Sequence, residues 1–166
     1  ISGGTITISG AWTGTNGNNF TPTGGTVTFD GSSDKIVLTH SDANYYHLTI
    51  SNTTGDVEVD TDIDVNGDLT ISSGADLDIV SASNLEIAGN FSNSGTFTVG
   101  AQTITFDGTG TVTTSAISGG SAKINISKSS GSVTTVGNIS VDEITVTSSS
   151  FIIDGETVGC DCYFIH

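Results

Sequence analysis

The chain has 166 residues, 18 acidic against three basic, and its formal charge of −15 excludes nucleic acid and anionic membrane as partners, since both are held by clusters of Lys and Arg. With 34% hydrophobic residues, 22 Gly, one Pro and no Met, it is poor in helix formers and rich in β-branched and turn residues, which points to an all-β protein. The length suits one domain with a continuous core, and no stretch approaches the ~20 apolar residues of a membrane span.

Short apolar-x-apolar triplets, in which alternate residues share one side of an extended strand, recur along the whole chain. Ile6-Thr7-Ile8, Val27-Thr28-Phe29, Leu48-Thr49-Ile50 and Leu69-Thr70-Ile71 begin at residues 6, 27, 48 and 69, a constant step of 21. Leu85-Glu86-Ile87, Ile104-Thr105-Phe106, Ile124-Asn125-Ile126 and Ile144-Thr145-Val146 follow, with steps of 16, 19, 20 and 20. A period of this size with strand signals and no helical pattern predicts a solenoid, because one such turn cannot bury its apolar side alone and must stack on its neighbours. We therefore expect a single-domain parallel β-helix over residues 1–155, with about eight turns of about 20 residues, each running strand, corner, strand, corner. Val, Ile, Leu and Phe should point inward and Thr, Ser and Asp outward, with Gly, Asn and Asp at the corners.

A longer repeat lies over this one. Thr26-Val27-Thr28-Phe29-Asp30-Gly31 returns as Thr103-Ile104-Thr105-Phe106-Asp107-Gly108 at an offset of 77, and Phe20 corresponds to Phe97 at the same offset. Two internal repeats, roughly 5–80 and 84–155, are expected from this match. An antiparallel sandwich also has short strands and frequent turns, but its strands have no reason to repeat in sequence.

Units such as Gly67 to Ile71, Asn90 to Phe97 and Val-Thr-Phe-Asp-Gly resemble the repetitive β-helix proteins of bacterial surfaces. The resemblance covers nearly the whole chain up to about Gly155. It implies an extracellular or cell-surface location and a structural role, since such proteins include adhesins, filament subunits and passenger domains. The chain opens at Ile1 without Met, so a processed product or a fragment of an exported, prokaryotic protein is expected.

Asp56, Glu58, Asp60, Asp62 and Asp64 alternate with apolar or hydroxyl residues, which in one extended strand would put every acid on the same side. Asp60, Asp62 and Asp64 are the candidate ligands for calcium, a hard cation that takes several carboxylate oxygens. The plainer reading is a solvated outer face, favoured because the spacing is not that of an EF-hand loop. Paired carboxylates could also cleave glycosides, but Arg is absent and the lysines are only Lys35, Lys123 and Lys128. Tyr45 and Tyr46 lie between His40 and His47, with Ser41 and Asp42 near, yet proximity in sequence is not triad geometry. No catalytic residue or cofactor site is assigned, and the expectation is a protein that is not an enzyme. The tyrosine pair is a candidate contact for a neighbouring subunit.

Thr5 with Thr7, Thr26 with Thr28, Thr103 with Thr105, Thr111 with Thr113 and Thr145 with Thr147 could order water on a flat face, as in ice-binding β-helices, but Glu86 and Asn125 interrupt equivalent triplets. Asn19, Asn52, Asn90, Asn125 and Asn138 head glycosylation sequons.

Residues 156–166 form a distinct tail, where both cysteines lie in Cys160-Asp161-Cys162-Tyr163-Phe164-Ile165-His166. A Cys160–Cys162 bond would close a strained ring, and two thiols with His166 leave a tetrahedral zinc site one ligand short. Cys160, Cys162, Tyr163, Phe164 and Ile165 are therefore candidates for capping or inter-subunit contact, and Ile6 and Ile8 of the first strand are their counterparts at the other end. An uncapped solenoid ends in open strand edges that invite another chain. The functional expectation is a subunit of an extracellular filament or surface fibre that joins head to tail with copies of itself. The alternative is an adhesin-type module binding glycans or surfaces.

Overall fold

The computed structural model describes residues 1–10, 12, 20–32, 35–38, 44–80, 84–147, 150–154 and 158–159. The tail from Cys160 onward, and His40, Ser41, Asp42 and Asn19, lie outside them. The described chain is all-β: short strands, every pairing parallel, stacked into a β-solenoid.

After β1 (Ser2–Ile8) the chain winds through six complete three-sided turns. The first is β2 (Gly24–Phe29), β3 (Lys35–Leu38) and β4 (Asn44–Tyr45). The second is β5 (His47–Ile50), β6 (Asp56–Val59) and β7 (Ile63–Val65), and the third β8 (Leu69–Ile71), β9 (Asp76–Ile79) and β10 (Leu85–Ile87). The fourth is β11 (Phe91–Asn93), β12 (Thr96–Val99) and β13 (Thr103–Phe106). The fifth is β14 (Val112–Thr114), β15 (Ile117–Ser118) and β16 (Lys123–Ile126), and the sixth β17 (Ser132–Thr135), β18 (Ile139–Ser140) and β19 (Glu143–Val146). β20 (Ser150–Ile153) and β21 (Val158–Gly159) start another.

The expected architecture is therefore present, with two corrections. Each turn has three strands, not two, and there are six complete turns flanked by partial ones, not about eight. The counted triplets mixed two faces: those starting at 6, 27, 48 and 69 belong to face one (β1-β2-β5-β8-β11-β14-β17-β20), those at 85, 104, 124 and 144 to face three (β4-β7-β10-β13-β16-β19). The step of 16 between Leu69 and Leu85 is a passage from one face to another. Likewise Thr26–Phe29 and Thr103–Phe106 occupy different faces, and their offset of 77 is about three and two-thirds of the 21-residue turn.

Strands of three or four residues alternate inward and outward, so each turn sends pairs of apolar side chains to the axis. Leu48 stacks on Val27 and Leu69, Leu77 on Val57 and Phe97, and Phe106 on Ile87 and Ile126, all buried. Each such residue contributes about 1.5–3 kcal/mol by leaving water. Trp12 and Phe20 cover the core at the β1 end: Trp12 packs edge-on to Phe20 (5.2 Å) and Phe29 (6.4 Å), and Phe20 lies 6.1 Å from Tyr45.

One level interrupts this regularity. Between the fourth and fifth turns face two stops at β12, and a separate sheet, β15-β18-β21, begins. Face one slips there by two residues: Phe91 pairs with Leu69 above but with Thr114 below. Side chains repair the ladder at the slip. The Thr113 amide donates to Asn90 Oδ1 (2.8 Å) and the Asn93 amide to Ser115 Oγ (3.0 Å). Face three continues in constant register from β10 to β16 across this level, while face one crosses it on the single Phe91–Thr114 pairing.

Candidate functional site

Three regions of the prism carry chemistry. The first is acidic. The run from Asp56 to Asp64 does not lie on one strand: it turns a corner around Asp60–Asp62, leaving Asp56 and Glu58 outward on face two and Asp64 outward on face three. Stacking brings Glu58 beside Asp78, and Asp56, Glu58 and Asp78 can place one carboxylate oxygen each within 4.8 Å of one another. This triplet has the spacing to share a hard cation. Asp60, Asp62 and Asp64, the candidate ligands read from the sequence, are placed differently. Asp60 sits at the corner, Asp62 Oδ1 accepts the Asn84 amide (2.6 Å), and Asp64 accepts from Asn66 Nδ2 (3.2 Å). The signal for the triplet was legible in Asp-Val-Glu-Val and Asp-Leu-Asp-Ile, two strands about 20 residues apart.

Burial, with neighbouring carboxylates adding to it, raises three carboxyls of this region above their ordinary range. Partial burial, with Asp56 beside it, raises Asp76. Burial with Asp107 near raises Asp64, against the opposing Asn66 hydrogen bond, and burial with Asp107, Asp64 and Asp62 raises Glu86. A carboxyl whose folded pKa lies above its unfolded one takes up its proton earlier in the folded state. The stability it contributes is complete below the unfolded pKa and is lost as pH rises through the folded one. Glu143 runs the other way, lowered by the hydrogen bond from Lys123 (2.9 Å), but it is exposed. The melting temperature is accordingly expected to rise as pH falls from neutral into the carboxylate range, followed by circular dichroism at constant ionic strength, and Glu86→Gln should flatten that rise.

The second region is the corner leading into face one. The Asp68 amide donates to His47 Nδ1 (2.9 Å), the Asn90 amide to Asp68 Oδ1 (2.8 Å) and the Thr113 amide to Asn90 Oδ1 (2.8 Å). Three successive side chains each hold the backbone of the next turn. His47 accepts at Nδ1, so its proton sits on Nε2, and the Asp68 carboxylate at 3.6 Å receives no hydrogen bond from it. That is the reverse of the carboxylate-to-imidazole orientation a hydrolytic triad requires.

Tyr45, read from the sequence as half of an exposed contact pair, is instead fully buried, with its hydroxyl unpartnered and burial pushing the phenol far above its ordinary range. Only Tyr46 reaches the surface, its ring edge-on to His47 at 4.7 Å. Asn52 is also buried, donating through Nδ2 to the Thr54 and Gly55 carbonyls, and so is no glycan acceptor. The Thr-x-Thr units divide between faces, with Thr5/Thr7 on Thr26/Thr28 in face one and Thr103/Thr105 in face three. Sequence reading passed over Lys128, a buried lysine whose ammonium donates to the Asp107 and Ala88 carbonyls of the two preceding turns, its pKa lowered by burial. The alternation Ile124, Ile126, Lys128 already pointed it inward.

The third region is the pair of ends. β1 and β20 are the edge strands of face one. Ile6 and Ile8 are only half-buried, whereas Val27 and Phe29, one turn further in, are sealed. Val146 and Phe151 are likewise half-buried at the far end. Cys160, Cys162, Tyr163, Phe164 and Ile165 fall outside the described residues. Comparison with protein-family profiles, curated proteins and solved structures finds no match.

Proposed function

We propose that the chain is a structural subunit that joins head to tail into an extracellular filament or surface fibre. The observation that carries this reading is that β1 and β20, the outermost strands among the described residues, stand at opposite ends of one parallel sheet. Because every strand runs the same way, β1 of one copy can continue the ladder below β20 of another, covering Ile6 and Ile8 on one side and Phe151 on the other. Such a contact is heterologous and does not close, so it propagates. The resemblance to repetitive β-helix proteins of bacterial surfaces, and a surface dominated by Ser, Thr and acids, favour a place outside the cell and a role in shape over catalysis.

Negative-stain microscopy of concentrated protein tests this. Filaments of constant width are expected, and Ile6→Asp with Ile8→Asp should abolish them, while circular dichroism of the free subunit keeps its β signature at a lowered melting temperature. Dispersed particles at every concentration would sink the reading.

A further inference from the structure

The surface charge of the prism is unevenly divided. No acidic residue lies within any of the eight strands of face one, while face two carries Asp56, Glu58, Asp76 and Asp78, and face three Asp64, Glu86 and Glu143. The outward residues of face one are mostly hydroxyls, with His47 and Ile152 among them, and include the continuous column Thr7, Thr28, Thr49, Thr70 and Ser92. The acids at its margins include Asp30, which accepts from Ser9 Oγ (2.9 Å), and Asp68, tied to the Asn90 amide. Among the described residues, the large apolar side chains that stand in solvent all lie in or next to this face: Ile1 (42% exposed), Tyr46 (36%), Val136 (55%) and Ile152 (46%).

In a chain of charge −15, such a face is where a second copy can approach without facing carboxylates. We infer that face one is a lateral contact through which two copies of the chain pack sheet against sheet, an inference that rests on the filament reading above. Eight strands at ~4.8 Å spacing and three to four residues of width give about 400 Å² per copy, roughly half of what a standard stable interface buries on each side. One pair of free subunits is therefore held weakly. Along two filaments the same contact repeats at every subunit and adds by multivalency, so the geometry pairs filaments and leaves single subunits apart.

The test compares two variants of equal charge. Thr49→Glu with Thr113→Glu places carboxylates on face one, and Thr98→Glu with Asn125→Glu places them on faces two and three. Wild-type filaments are expected to lie in pairs or bundles, the face-one variant to give single filaments of unchanged width and length, and the control to bundle like wild type. Single filaments from the wild type, or bundles in the face-one variant, would overturn the lateral contact while leaving head-to-tail growth standing. If the wild type forms no filaments, growth itself fails, and light scattering of concentrated subunits decides the lateral contact. Net attraction lost only in the face-one variant supports it, and equal behaviour of all three proteins overturns it. Wild-type retention on microcrystalline cellulose without self-attraction would also overturn it, in favour of a neutral polysaccharide.

Discussion

Gly131→Ala is expected to lower folding stability by about 2–5 kcal/mol, combining roughly 1–2 kcal/mol for a left-handed backbone with roughly 1–3 kcal/mol for overpacking. Gly131 has φ of 83° and lies over Gly110, itself at 84°, where two successive corners touch backbone to backbone. A Cβ there would fall on the Gly110 carbonyl, a backbone group that cannot swing aside as a side chain could. Gly74 separates the two contributions. Its φ is 81°, but the nearest atom to an added Cβ is Thr53 Cγ2 at 3.7 Å, so Gly74→Ala carries the conformational cost alone. Urea unfolding of both variants reads the difference, and equal losses would show that the corners can spread.

Phe106→Ala is expected to cost about 3–5 kcal/mol, the range for emptying a buried aromatic site. The ring is sealed, with Ile87 above and Ile126 below in the same inward column. The turns on either side are pinned by parallel hydrogen bonds and cannot collapse into the gap, which puts the loss towards the top of the range. Truncating Ile6, half-buried on the edge strand, should cost the free subunit much less. A pair of melting curves for Phe106→Ala and Ile6→Ala checks the contrast, and similar losses would mean that the end turns are as tightly enclosed as the middle.

The solenoid and its 21-residue winding were legible because the inward pairs Val27/Phe29, Leu48/Ile50 and Leu69/Ile71 are apolar and recur at a constant step in the first windings. The third side was lost in the later turns, where its strands are as short as Ile117–Ser118 and Ile139–Ser140, too brief to show alternation. Leu85-Glu86-Ile87 has the same pattern as Leu69-Thr70-Ile71, so nothing local separates face three from face one, and only pairing across turns does. The acidic triplet, though its two strands carry the signal, was missed for a related reason. Asp56 and Glu58 were read together with Asp60 and Asp62, their neighbours along the chain, whereas the oxygens they approach belong to Asp78, one winding later. The uncharged character of face one could have been found by writing the windings beneath one another and reading down the columns.

The level between the fourth and fifth turns has a mechanical meaning. One of the three walls ends there and face one narrows to the single Phe91–Thr114 pairing, so in the proposed fibre an axial pull would be borne at that height mainly by the β13–β16 pairing of face three, helped by the β11–β14 bridge and the side-chain bonds across the slip. Elsewhere the load spreads over all three walls. Under tension each subunit would part first at this seam, yielding two shorter stacks still joined by chain, so the fibre would stretch stepwise before it snapped.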